Sequence, residues 1–211
     1  MLATFPTAAP VNSMAVFLIK NPRAVFIHIP KTGGASIRHG FFENNVEGPT
    51  HGSIPPEWEE LFKFAFVRNP YGRIVSAWKM FAGGMENSVW KHPSDEAGID
   101  LKSFLQIAMD ESLPFDGNRT TTKRKIRHHA IPQSHPFNCL QYADFVGRFE
   151  NLKTDFKTVC ERLEISGEGL PHWNRSQRSS DFMQYFDEET LTIVNSYFAD
   201  DFERWDYSME R

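Results

Sequence analysis

The chain has 211 residues, of which 40% are hydrophobic, and this is enough for one compact α/β domain but short for two. Its formal net charge of −4 argues against a basic surface for general nucleic-acid binding. The two cysteines, Cys139 and Cys160, are too few for a disulfide framework and do not have zinc-site spacing, so we expect buried thiols.

We predict that residues 1–23 form an N-terminal extension and that residues 24–211 form one folded domain. The extension lacks the basic start and the apolar core of a secretory signal, because Pro6, Pro10 and Asn12 interrupt it. Its apolar run at 14–19 is too short to span a membrane. We therefore expect no membrane anchor and a cytoplasmic location.

Residues 24–37, AVFIHIPKTGGASI, predict a buried strand that leads through a loop into a helix. Pro30 ends the apolar run, and Lys31 follows at the turn. Gly33 and Gly34 lack a Cβ atom, so their backbone N–H groups can approach an anion closely, and Ser36 stands where the helix begins. The pattern favours a cationic phosphate-binding loop over a Gly-rich turn with a solvated lysine.

A second apolar run, in residues 64–78 (FAFVRNPYGRIVSAW), ends at Arg68 and passes into a helix that carries Ser76. An arginine at the carboxyl end of a parallel strand can grip a phosphate with two parallel hydrogen bonds, and a serine two turns into the next helix can add a hydroxyl. The alternative is a structural arginine at the strand end and a neutral helix serine. This alternative requires that Arg68 and Ser76 both have purely structural roles.

The positions of Gly and Pro and the spacing of hydrophobic residues predict the remaining helices and strands. We expect helices over residues 35–42, 71–81, 101–109, 151–163 and 187–202, and a further strand over 144–149. Strands that alternate with helices indicate a single α/β domain, an open parallel sheet flanked by helices. In such a sheet ligands bind at the carboxyl ends of the strands, where both phosphate motifs lie.

Residues 119–135 concentrate positive charge. The segment is expected to be either a solvated flexible loop, as charge runs usually are, or a basic loop that steers an anionic partner to the site. Its basic and histidine residues are Arg119, Lys123, Arg124, Lys125, Arg127, His128, His129 and His135.

The order Lys-Thr-Gly-Gly-x-Ser differs from the Walker A loop, in which the lysine follows the glycines. It resembles the 5′-phosphosulfate loop of P-loop-like sulfotransferases that use 3′-phosphoadenosine 5′-phosphosulfate (PAPS). The later segments resemble the carbohydrate branch, related to heparan sulfate 2-O-sulfotransferase and the chondroitin and dermatan enzymes. The matching segments are residues 26–37, 64–78, 132–133, 144–152 (DFVGRFENL), 171–176 (PHWNRS) and 197–207.

The resemblance implies transfer of a sulfuryl group from PAPS to an acceptor hydroxyl, with adenosine 3′,5′-bisphosphate as the other product. The acceptor is expected to be a carbohydrate, often an anionic one, and no metal is needed. Lys31 would neutralise the leaving 5′-phosphate, while Arg68 and Ser76 would grip the 3′-phosphate and Arg175 would add a contact. The loop that would hold the 5′-phosphate comprises Thr32, Gly33, Gly34, Ala35 and Ser36, with the Thr32 and Ser36 hydroxyls assisting.

A general base is expected as well, because an alcohol is a poor nucleophile at neutral pH. His51 is the first candidate, since its Thr-His-Gly setting resembles the stretch that holds the catalytic histidine of the 2-O-sulfotransferase branch, although Ser53 replaces a second histidine there. Other candidates are His28, Glu43, Glu47, His128 and His129. Gln133 and Arg127 are candidates for the acceptor or cofactor side, and Glu150 either supports a helix start or touches ligand.

Two other classes of function stay open at this stage. One is a kinase-like P-loop phosphotransferase, which is disfavoured because Lys31 precedes the glycines and no Walker B aspartate closes an apolar strand. The other is a non-catalytic protein that binds adenosine bisphosphate or an anionic polymer. Binding of PAPS against ATP separates the first class from a sulfotransferase.

Overall fold

The computed structural model describes residues 15–50, 53–83, 96–114, 121–171 and 181–211. Within them, one sheet has the strand order β3-β1-β2-β4-β5. Its strands are β1 Ala15–Lys20, β2 Arg23–His28, β3 Val46–Thr50, β4 Lys63–Val67 and β5 Phe145–Arg148. The predicted α/β class, with an open sheet flanked by helices, is confirmed.

Three adjacent strands, β2, β4 and β5, pair in parallel, as predicted. Ile27 of β2 lies opposite Ala65 of β4, so the two strands end at the same edge of the sheet. β2 and β4 are buried on both faces and are rich in Phe, Val and Ile, as is usual for central parallel strands. The edge at which they end is therefore where the two predicted phosphate motifs meet.

The sheet begins earlier in the chain than expected. Residues 15–20 form β1, which pairs with β2 in antiparallel register although the sequence analysis placed it in the extension. Only Asn21 and Pro22 separate the two strands, and so short a connection allows only an antiparallel hairpin. β3 pairs with β1 in antiparallel register and thus runs in the same direction as β2.

The helices largely follow the predicted pattern. They are α1 Pro70–Ala82, α2 Leu101–Met109, α3 Thr122–Ala130, α4 Leu152–Arg162, α5 Glu188–Tyr197 and α6 Ala199–Arg204. The helix expected over 187–202 is two helices, because buried Phe198 leaves the helical conformation at φ −108° and ψ 21°. The helix expected over 35–42 is a wide π-helical turn, Ser36–Phe41, in which Phe42 N donates to Ile37 O at 2.9 Å.

Aromatic and aliphatic side chains cover both faces of the sheet. One face, with Phe26, Phe64 and Phe66, packs against Phe156 and neighbouring residues of α4. The opposite face packs around Trp58 and Cys139. A second core joins α1, α2, α3, α5 and α6. Both cysteines are buried free thiols, as predicted, and burial raises the pKa of each to about 11.

Candidate nucleotide-binding site

The two predicted phosphate motifs lie side by side at the carboxyl edge of the sheet. Lys31 follows β2, and Arg68 follows β4, the neighbouring parallel strand. The Arg68 guanidinium donates from NH1 to the Lys31 carbonyl oxygen at 3.2 Å. The structure thus places the ammonium-bearing turn and the arginine in one corner of the molecule.

The turn that carries Lys31 is held in an unusual backbone conformation. Lys31 has φ 70°, which lies in the left-handed region that residues with a Cβ atom seldom adopt. The Thr32 hydroxyl donates to the Ile29 carbonyl at 2.8 Å and is fully buried, so it shapes the turn and is not the phosphate donor we expected. Ser36 is buried at the start of the π-helical turn, and its N–H donates to Gly33 O at 3.0 Å.

Both glycines of the loop are required by packing, and Gly33 is required by its backbone conformation as well. A Cβ on Gly33, which has φ 90°, would lie 2.8 Å from Leu152 Cδ2 of α4. A Cβ on Gly34 would lie 2.1 Å from Cδ2 of the His28 ring. The absent side chains therefore allow the loop to sit directly on α4 and on the last residue of β2.

His28 packs against the loop that contains Gly34. Its ring packs against Phe17 and Phe26, with ring centroids 6.2 and 5.7 Å apart respectively, and against the backbone of Gly34. Burial, reinforced by the positive charge of Arg38, lowers the pKa of His28 well below its ordinary value. His28 is consequently neutral at pH 7.

Arg68 is largely buried, with 9% of its surface exposed. Its guanidinium carbon lies 4.2 Å from the centroid of the Phe149 ring, and its Nε lies 3.4 Å from the position that a Cβ on Gly72 would occupy. The aromatic ring and the first turn of α1 thus fix the plane of the guanidinium.

One face of α1 connects the two cationic groups. Gly72, Ser76 and Met80 are spaced four residues apart and so lie along one side of the helix. Gly72 meets Arg68, while the Met80 sulfur accepts a hydrogen bond from Lys31 Nζ at 3.4 Å. Ser76, which is 8% exposed, lies between them on a stripe about 12 Å long.

A model of the sulfotransferase family matches residues 16–208, which is nearly the whole chain. The chain belongs to the sulfotransferase family. The protein is therefore an enzyme of sulfuryl transfer. Neither the curated proteins nor the solved structures include a significant match to this sulfotransferase. The described residues contain no helix that could span a membrane and no cluster of three or more His, Cys, Asp or Glu placed to hold a metal.

Arg73 is a residue that supports the site of this sulfotransferase and that sequence reasoning missed. It is 1% exposed, and its guanidinium donates to three carbonyl oxygens: Pro30 at 3.1 Å, Ile131 at 2.8 Å and His129 at 3.2 Å. Burial lowers its pKa to about 10, which leaves it charged at pH 7. Arg73 joins the lysine turn to the carboxyl end of α3. The one signal in the sequence is its place on the first turn of α1, within the Arg68 motif.

Three predicted polar residues near the site are hydrogen-bonded to other parts of the protein. Gln133 is fully buried behind the backbone of Arg68, to which its side chain is hydrogen-bonded. Arg127 is 8% exposed and donates to the Leu113 carbonyl. Glu150 accepts from Asn69 N at 2.9 Å, so it supports the start of α1. Of the two expected roles of Glu150, the structure favours support of a helix start over contact with ligand.

Most of the described part of the basic segment of this sulfotransferase is a helix, not a loop. Residues 122–130 form α3, because Thr121 caps the helix by accepting from Arg124 N, and Ile126 and Ala130 enter the helical core. His128 is buried, and His129 Nδ1 lies 2.8 Å from the Lys125 carbonyl. Arg119 lies outside the described residues.

The first candidate for the base, His51, and the predicted phosphate contact Arg175 also lie outside the described residues. Among the alternative bases, Glu43 and Glu47 are exposed, one just before β3 and one within it. Thr50, which precedes His51, ends β3 opposite Val16, two strands away from Ile27 of β2. The end of β3 therefore lies at the same sheet edge as the lysine turn.

Proposed function

We propose that this sulfotransferase takes its sulfuryl group from PAPS and transfers it to a hydroxyl group of a carbohydrate. The observation that carries the proposal is the pairing of Lys31 and Arg68 at one sheet edge, where Arg68 NH1 bonds Lys31 O at 3.2 Å. PAPS carries phosphate at both its 5′ and its 3′ positions, so it needs two anion sites at the two ends of one nucleoside.

The lysine turn is proposed to hold the 5′-phosphosulfate end. Backbone N–H groups from Thr32 to Ala35 and the Ser36 hydroxyl would bind the 5′-phosphate, and Lys31 would neutralise the charge that grows on it. The acceptor oxygen forms a bond to sulfur as the bond from sulfur to the phosphate oxygen breaks, so adenosine 3′,5′-bisphosphate leaves. Most of the catalytic work is positioning and charge stabilisation around this in-line displacement, by analogy with phosphoryl transfer.

Arg68 and Ser76 are proposed to bind the 3′-phosphate. Gly72, which meets the Arg68 side chain, lies one turn of α1 before Ser76, so a guanidinium and a hydroxyl are available along one wall. Arg175 is proposed as an additional phosphate contact. This end of the site would distinguish PAPS from nucleotides without a 3′-phosphate.

His51 is proposed to remove the proton from the acceptor hydroxyl. The proposal is supported by the position of Thr50, the residue before it, at the sheet edge that carries Lys31. A positioned general base contributes on the order of 10² to 10⁴ in rate. The proton would pass to the imidazole as the new bond between oxygen and sulfur forms.

The proposed acceptor is an anionic carbohydrate. Arg73 links the carboxyl end of α3 to the lysine turn, so a helix rich in basic residues extends from the border of the site. Lys123, which is exposed, and the half-buried Arg124 and Lys125 lie in the amino-terminal half of the same helix. Such a field would raise the local concentration of an anionic partner. The cytoplasmic location stays a prediction.

Two measurements test the proposed function. Titration calorimetry compares adenosine 3′,5′-bisphosphate with ATP, and we expect clear binding of the first and much weaker binding of the second. Sulfur-labelled PAPS is then offered with glycosaminoglycans, simple sugars, phenols and amines, and label is expected on the carbohydrates. Binding of ATP without binding of the bisphosphate would overturn the choice of donor, and label confined to phenols or amines would overturn the acceptor class.

A further inference from the structure

The side-chain amide of Gln133 is hydrogen-bonded to the backbone of Arg68 in the way that a neighbouring strand would be. Its Oε1 accepts from Arg68 N at 2.9 Å, and its Nε2 donates to Arg68 O at 2.9 Å. Arg68 follows the last residue of β4, where the described strand pairing ends, and Gln133 supplies the donor and acceptor that a neighbouring strand would supply. Among uncharged side chains of this length, only an amide offers both groups at one end.

Gln133 is in turn fixed by a buried carboxylate. Asp201 of α6 is fully buried and accepts from Gln133 N at 2.7 Å and from Ser134 N at 2.8 Å. Gln133 Nε2 lies 3.3 Å from the same carboxylate, so both hydrogens of the amide have an acceptor. Since every polar group at the end of the Gln133 side chain is satisfied, this amide holds one orientation.

The other side of the same backbone is held by Glu150, whose Oε1 accepts from Asn69 N at 2.9 Å. The Arg68 guanidinium itself is placed by the Phe149 ring and by the Lys31 carbonyl. Arg68 is therefore fixed at its backbone by the buried side chain of Gln133, which holds both its N–H and its carbonyl, and at its guanidinium by two contacts.

We propose that Gln133 is a positioning residue that aims Arg68 at the 3′-phosphate and thereby sets the preference of this enzyme for a 3′-phosphorylated nucleotide. The inference rests on the proposed function. A bidentate guanidinium contact depends strongly on alignment, and a displacement of about 1 Å can cost on the order of 100-fold in a positioned interaction. Loss of Gln133 would leave Arg68 present but misdirected.

The test measures affinity for adenosine 3′,5′-bisphosphate and for AMP by calorimetry, in the wild type and in Gln133→Met. The ratio of the two affinities reports the contribution of the 3′-phosphate alone. We expect this ratio to fall at least tenfold in Gln133→Met, with AMP affinity nearly unchanged. Asp201→Asn, which loosens Gln133 from behind, is expected to lower the ratio by a smaller factor and serves if Gln133→Met does not fold.

Asn138→Ala is the matched control. Asn138 Nδ2 donates to the carbonyls of Pro132 at 2.8 Å and Gln133 at 3.2 Å, so the variant loosens the same turn without removing a bond to Arg68. It should keep the wild-type ratio. An unchanged ratio in Gln133→Met, or an equal fall in both affinities, would overturn the inference. A wild type that binds AMP and the bisphosphate equally well would instead overturn the proposed function, and the inference with it.

Discussion

The lysine turn and the Arg68 strand end occupy one corner of the molecule but are built in different ways. The turn is shaped by residues that are close in sequence, such as the Thr32 hydroxyl on the Ile29 carbonyl. Arg68 is shaped by residues far along the chain, which include Gln133 and Phe149. The comparison teaches that the lysine turn takes its backbone shape from a local motif, which Arg73 and Leu152 then contact from other segments, whereas the Arg68 backbone is held by a residue 65 positions away.

The two regions also differ in backbone strain and in the space left around the backbone. The turn contains Lys31 at φ 70° and glycines whose missing Cβ atoms leave no space, so it should be sensitive to the addition of a single methyl group. The Arg68 backbone is unstrained but depends on satisfied buried hydrogen bonds. It should be sensitive to the loss of a distant polar group.

The largest expected effect is on the chemistry at the lysine turn. Lys31→Ala should lower the transfer rate from PAPS by about 10² to 10³, as the loss of a group that stabilises transition-state charge does. The matched control is Lys20→Ala, since Lys20 is an exposed lysine at the end of β1. Initial rates with saturating PAPS would check this, and full activity in Lys31→Ala would remove the lysine from its proposed role.

Arg73 tests whether the two regions are held together by one side chain. Arg73→Met leaves the carbonyls of Pro30, His129 and Ile131 without their buried donor, which should lower the free energy of unfolding by about 3 kcal/mol or more. Arg23→Met, at an exposed arginine of β2, should cost little. Urea denaturation measures both variants, and equal stability for them would show that the three carbonyls find other donors.

Gly34 sharpens the contrast, because its constraint is one nearby ring. Gly34→Ala should cost about 1 to 3 kcal/mol, since its methyl group would lie 2.1 Å from His28 Cδ2. In a His28→Ala background the same change should cost clearly less, which a double-mutant cycle measures. Gly33→Ala is the control, because it meets Leu152 and His28→Ala should not relieve it. Additive costs for Gly34→Ala and His28→Ala would contradict the packing explanation.

The same contrast explains how far the sequence could be interpreted. The strand over residues 23–28, the turn at Lys31 and the helix after Arg68 have local signals, and the structure contains each of them. The parallel pairing of β2 and β4 followed from the alternation of strands and helices. These features depend on residues within one segment or on a general rule of topology.

What the sequence did not predict depends on contacts between distant segments. Nothing local indicates that Asp201 accepts from Gln133, 68 positions away, or that Arg73 reaches Ile131. Burial of Ile126 decides that the basic segment folds as α3, although its charge favours a solvated loop. The apolar run at 14–19 does not by itself indicate a partner strand, and its pairing with β2 is what makes it part of the sheet as β1.

The smallest expected effect is a dependence of stability on pH that arises on the side of the lysine turn. Burial, together with the positive charge of Arg38, lowers the pKa of His28. Below about pH 6.5, His28 is therefore protonated in the unfolded chain but stays neutral in the folded chain. Stability should therefore fall as the pH is lowered from 7.5 to 5.5. His39 and His135 contribute in the same direction, because burial also lowers the pKa of each.

His28→Phe isolates the contribution of His28 to this dependence. Phenylalanine keeps an aromatic ring against Phe17 and Phe26 but cannot titrate, so Tm should fall less between pH 7.5 and 5.5 than in the wild type. Gln133→Met should keep the wild-type pH dependence even if its Tm is lower, because Gln133 carries no ionisable group and holds Arg68, not the turn. If His28→Phe kept the full dependence, the titrating group would lie elsewhere, and the lysine turn would not be the acid-sensitive half of the site.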